Sequence, residues 1–169
     1  FMFQTSIGSN RGFIFLEILI AITLISVAFI MLLGIGFSTL TLATSLQRTA
    51  EVDALIKEEL EAIRSFREGT IWATNGLATK NTGSANPYYV SVDTTVNPEA
   101  WKLNAGTETI GAFTRKVVFD TVSRDPVTNN IESVYNASHN DPNTRKVTVT
   151  VALGAKTYQV VSYLTNWNQ

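Results

Sequence analysis

The chain has 169 residues, a net charge of −1 and no cysteine. That balance argues against a nucleic-acid binder drawn by a basic field, and the missing thiols exclude disulfide frameworks, thiolate metal sites and cysteine nucleophiles. Any part of the chain outside the cell must be held by packing alone.

Residues 13–68 are predicted as one long helix. Ile, Leu, Ala, Phe and Met dominate up to Leu46, and no proline interrupts. From Ile18 to Gln47 there are 30 residues without a charge, against the ~20 apolar residues that a membrane crossing needs. A secretory signal has an apolar region of only about 7–15 residues, so a retained anchor is expected. Arg11 precedes the run, and basic residues favour the cytoplasmic side. The N-terminus is therefore expected inside and the residues after 48 outside. One carboxylate, Glu17, sits at the head of this apolar helix. An ionisable group in hydrocarbon costs several kcal/mol and usually marks function. Its bland reading is a carboxylate reaching back to the headgroups and Arg11. Gly34 and Gly36 each cost up to ~1 kcal/mol against Ala in a helix. They suit close packing of helices in lipid, or a weak point where the helix can stretch.

From Thr49 the pattern turns amphipathic. Val52, Leu55, Ile56, Glu59, Leu60, Ile63 and Phe66 recur at spacings of three and four, on one stripe. Gly69 is the expected stop. At ~1.5 Å per residue the whole element would measure about 80–85 Å, so its second half is expected to pack on a soluble domain.

Residues 70–110 read as loop, punctuated by Gly76, Gly83, Pro87 and Pro98, with one short strand at Tyr88 to Val92. Three clearer strands follow: Ala112 to Val122, Arg145 to Leu153, and Lys156 to Trp167. Gly154-Ala155 between the last two suits a two-residue hairpin. "SRDPVTNN" and "SHNDPNT" are turn sequences. The expected fold class is α+β: a long N-terminal helix on a small antiparallel sheet, 111–169, with the apolar stripe of 49–68 covering one sheet face.

Other residues invite a chemical reading. Asp120, Asp125, Asn129, Glu132, Asn140 and Asp141 supply oxygen donors near loops, but without calcium-loop spacing they read as turn formers. His139 reads as an exposed loop residue. Asn136-Ala137-Ser138 matches the N-glycosylation acceptor pattern. Trp72, Tyr88, Tyr89, Trp101, Tyr158, Tyr163 and Trp167 read as core or interface anchors before a binding surface. Arg115, Lys116, Arg145 and Lys146 could form a weak basic strip across paired strands. No spacing pairs a nucleophile with a base, so no enzyme activity, metal or cofactor is expected.

Arg11, Gly12, Phe13 and Glu17, opening a 30-residue charge-free stretch ahead of a small sheet, resemble the N-terminus of type IV pilin and pseudopilin precursors. The likeness is specific over 11–46 and architectural over 47–169. It implies a leader, 1–12, cut by a membrane prepilin peptidase between Gly12 and Phe13, with methylation of the new Phe13 amine. It implies a transmembrane and filament-core helix, 13–48, and a globular domain, 49–169. The implied partners are identical subunits in a helical filament, the peptidase, the pilus assembly machinery and, before assembly, the membrane; no nucleic acid is expected. Glu17 would neutralise the Phe13 amine of its own or an adjacent subunit. A buried charge of that kind sets register more than it adds stability. Many members carry a helix-breaking proline mid-helix, where this chain has Gly34 and Gly36. Many also close a C-terminal loop by a disulfide; here the last strand must be held by sheet pairing and aromatic burial. Within the family, a minor pilin or secretion pseudopilin is the alternative. From another class, the alternative is a single-pass anchored module whose outer domain binds a ligand or surface.

Overall fold

The computed structural model describes the backbone of residues 11–167 and the side chains of 13–167. Of the expected leader, residues 1–10 lie outside the described residues. One helix, α1 (Arg11–Glu68), is followed by strands β1 (Tyr88–Asp93), β2 (Ala100–Ala105), β3 (Glu108–Ile110), β4 (Phe113–Ser123), β5 (Asn140–Leu153) and β6 (Lys156–Thr165). All pairings are antiparallel, in the order β2-β1-β4-β5-β6, with β3 also on β4. The chain divides into two compact units within α1, between Thr49 and Ala50.

In the second unit, α1 ends where expected. The Gly69 N–H donates to the Ser65 carbonyl at 2.9 Å and the Thr70 hydroxyl to the Phe66 carbonyl at 2.7 Å, answering carbonyls that a helix end leaves open. The stripe Val52, Ile56, Ile63 and Phe66 is buried, joined by Ala62, with Leu55 and Leu60 packed at its edges. It meets the sheet face formed by Val90, Val117, Phe119, Val147, Val149 and Val151. These strand residues alternate because successive side chains point to opposite faces. Tyr88 and Phe119 pack with ring centroids 5.6 Å apart, and Trp72 and Leu77 complete the core. β5 and β6 are joined by the expected two-residue turn, with Leu153 opposite Lys156. Gly154 there has φ +57°, the sign that a II′ hairpin requires at its first turn position.

The interval 70–110 departs from the expected loop. Besides β1 it holds a 3-10 turn (Leu77–Thr79) and the strands β2 and β3. β2 is an edge strand paired only to β1, and its alternation is brief: Trp101 and Leu103 pack against the core while Ala100 and Lys102 are exposed. β5 begins at Asn140, five residues before the expected start. The Asp141-Pro142 pair reads as a turn, yet Asn140 and Asp141 pair with Ser123 and Val122 beyond a register shift at Thr121/Val122. A bulge of this kind is one of the places where a sheet accepts proline. The final strand stops at Thr165. Trp167 is 67% exposed, so the strand is held by its pairing to β5 and by buried Leu164, and not by burial of that indole.

Candidate functional site

In the first unit, helix geometry places the residues singled out in the sequence. Gly12 and Phe13 stand in the opening turn of α1 and Glu17 one turn later. Residues four apart lie on one helix face, so Phe13 and Glu17 share a face. From Phe13, 79% exposed, to Leu46, the large apolar side chains are exposed in the isolated chain. α1 is long and apolar enough to cross a membrane. Gly34 and Gly36 lie in unbroken helix, and a methyl group added at either meets nothing within 4 Å. Within one chain, then, no crowding demands glycine. The Ser and Thr hydroxyls at 23, 26, 38, 39, 41, 44 and 49 each donate to a carbonyl three or four residues back, which hides their polarity from an apolar environment.

In the second unit, the main polar feature is a buried ion cluster under the helix. Glu59 is 0% exposed and Arg115 2% exposed. The Arg115 Nε lies 2.8 Å from Glu59 Oε2, its Nη2 2.6 Å from Glu108 Oε2 and its Nη1 3.2 Å from Glu58 Oε1. The Val90 N–H donates to Glu59 Oε1 at 3.1 Å. One guanidinium thus ties α1 to β3 and β4, and Glu59 ties α1 to β1. Burial pushes the Glu59 carboxyl up to about 7, against the opposing pull of Arg115 and the Val90 N–H. Three carboxylates around one cation leave an excess of negative charge, and the carboxyl without solvent holds a proton most easily. Both halves of this cluster interrupt apolar patterns in the sequence: Glu59 lies in the helix stripe, and Arg115 alternates with Val117 and Phe119. That interruption is the signal by which such a pair can be found, though which carboxylate meets which guanidinium is not in it.

The basic strip does not form. Arg115 and Arg145 turn to the buried face, where Arg145 donates to the Ala78 carbonyl, whereas Lys116 and Lys146 lie on the other. Lys146 instead stands 3.9 Å from Asp120. The loop oxygens have local duties. Asp125 accepts from the Val127 and Thr128 N–H groups, and Asp141 accepts from Arg124 at 2.6 Å and from the Asn143 N–H. Glu132 lies 2.9 Å from His139 Nδ1. His139 is therefore half-buried and paired, not a free loop residue. Among the described residues, no three carboxylate or histidine side chains gather to hold a metal. Of the aromatic residues, Trp72 and Tyr88 are core; Tyr163 is exposed, like Trp167.

No protein-family model, no curated protein and no solved structure matches this chain.

Proposed function

We propose that the chain is the structural subunit of a pilus-like extracellular filament, anchored in the membrane before assembly and polymerised through the apolar half of α1. The observation that carries the proposal is the placing of Gly12, Phe13 and Glu17 at the head of a charge-free helix whose apolar side chains are exposed in a single chain. Apolar surface gains ~25 cal/mol per Å² when removed from water, so an exposed stretch of this length needs lipid or other copies around it. A filament-core helix uses both in turn, exchanging lipid contacts for subunit contacts. Glu17 in such a core is answered by the amine that cleavage before Phe13 creates. An adjacent subunit offers that amine only at the correct axial height, so the pair selects register. A minor pilin or pseudopilin priming a shorter filament uses the same device.

The test is the N-terminus of the mature chain together with Glu17→Val. Mass spectrometry is expected to find a chain beginning at methylated Phe13. Glu17→Val is expected to insert in the membrane normally and to lose filament formation in a strain without wild-type subunit. Normal polymerisation of that variant would remove the register role. One membrane-capable helix among the described residues and a separately packed unit that holds the sheet favour a second reading, an anchored binding module. Functional protein retaining residues 1–12 would decide for that one.

A further inference from the structure

The loop between β4 and β5 carries exposed apolar side chains that the filament reading leaves unused. Val134 is 79% exposed and Tyr135 47% exposed. The next three residues are Asn136, Ala137 and Ser138, all exposed. They satisfy the Asn-x-Ser pattern of an N-glycosylation acceptor.

The local geometry suits that chemistry. Asn136 is extended, with φ −119° and ψ 115°, and lies outside every strand ladder. Its Oδ1 accepts from the Ser138 N–H at 3.0 Å, an Asx turn that engages the carbonyl end of the amide. The Nδ2 has one side-chain neighbour, His139 Nδ1, at 3.3 Å. The backbone is pinned from beneath, because the Asn136 N–H donates to Ser123 Oγ at 2.9 Å. The tripeptide is thus displayed on a fixed base, with the nucleophilic nitrogen on the surface. The apolar Val134 and Tyr135 beside it provide a face on which the C–H groups of a pyranose can lie.

We propose that Asn136 is the attachment site of an N-linked glycan. The donor is a polyprenyl-phosphate-linked or polyprenyl-pyrophosphate-linked oligosaccharide outside the cytoplasm. Asn136 Nδ2 bonds to the anomeric carbon of the first sugar. The bond from that carbon to the phosphate oxygen breaks, and the polyprenyl phosphate or pyrophosphate leaves with the electron pair. One amide proton passes to a base of the transferase. No oxidation or reduction is involved. The inference rests on the external placement of the sheet unit that the proposed function requires. The glycan would cover Val134 and Tyr135.

The experiment is mass spectrometry of the full chain purified from the organism that makes it, after trypsin. Cleavage after Arg124 and Arg145 isolates residues 125–145. The expected result is a saccharide mass on this peptide, localised to Asn136 by fragmentation. It is lost in Ser138→Ala, which keeps the backbone N–H of the Asx turn, and retained in Ser138→Thr. A peptide bare at Asn136 in chains that begin at methylated Phe13 overturns the glycan and leaves the filament reading intact. A saccharide at Asn136 on chains retaining residues 1–12 supports the glycan and overturns the filament reading. A mass that persists in Asn136→Gln, itself produced as folded protein, also overturns the assignment.

Discussion

Glu59, buried against Arg115, is the side chain that links the sheet unit's stability to pH near neutrality. Burial raises the Glu59 carboxyl from 4.5 to about 7, so between those values the folded chain binds more protons here than the unfolded chain. Its contribution to stability then falls as pH rises through that window. Denaturant midpoints measured from pH 5 to 8 are expected to show this decline. Glu59→Gln keeps the acceptor for the Val90 N–H and is expected to flatten it. Asp125, Glu132 and Asp141 act in the opposite direction. Hydrogen bonds to their charged forms hold all three below the ordinary carboxylate range, and at Asp141 they outweigh its desolvation. Their contribution is present above that range and is lost on acidification. Arg115→Met leaves three carboxylates without their common cation. Removing one partner of a buried pair costs about 3–5 kcal/mol, and urea unfolding is expected to show a loss of that order. Ile63→Ala opens the core where the helix meets the sheet, at about 2–5 kcal/mol.

At the scale of elements, α1 combines two kinds of helix. Its first part is apolar on every side and was legible from an unbroken charge-free run; its second carries a stripe and was legible from periodicity, because burial on one face imposes a 3.6-residue repeat. Gly34 and Gly36 have room for a side chain, so Gly→Ala at both is expected to stabilise the helix, by up to ~1 kcal/mol each. Thermal melting in detergent micelles measures that gain. If the glycines serve as a weak point, the doubly substituted subunit is also expected to yield fewer filaments than wild type. β2 and β3 were not legible. Their alternation is too short to stand out: β2 turns only Trp101 and Leu103 to the core and β3 has three residues. They are strands because β1 and β4 offer backbone partners. β5 was placed late for the converse reason: Asp141-Pro142 is a turn by local preference and a strand segment by pairing across a bulge.

For the molecule as a whole, the buried side chains fall between Val52 and Leu164, inside the second unit. A chain beginning at Ala50 is therefore expected to be soluble and to unfold in one cooperative transition, with near-UV circular dichroism like that of the intact protein in detergent. The first unit is expected to determine membrane insertion and polymerisation without contributing to that core.

Composition and spacing by themselves determined the membrane-capable helix, its amphipathic continuation and the three long strands, while Gly12, Phe13 and Glu17 were singled out by a resemblance carried on a short local pattern. Each depends on hydrophobicity repeated along the chain or on a short local pattern, and such signals are carried by neighbours in sequence. The tertiary structure alone decided that Arg115 joins Glu58, Glu59 and Glu108, that Arg145 turns inward away from Lys146, and that β2 and β3 extend the sheet. These depend on partners outside any one local pattern, from seven residues apart for Arg115 and Glu108 to 67 for Arg145 and Ala78, whose meeting is set by strand register and by the low tolerance of a packed interior for unpaired charge.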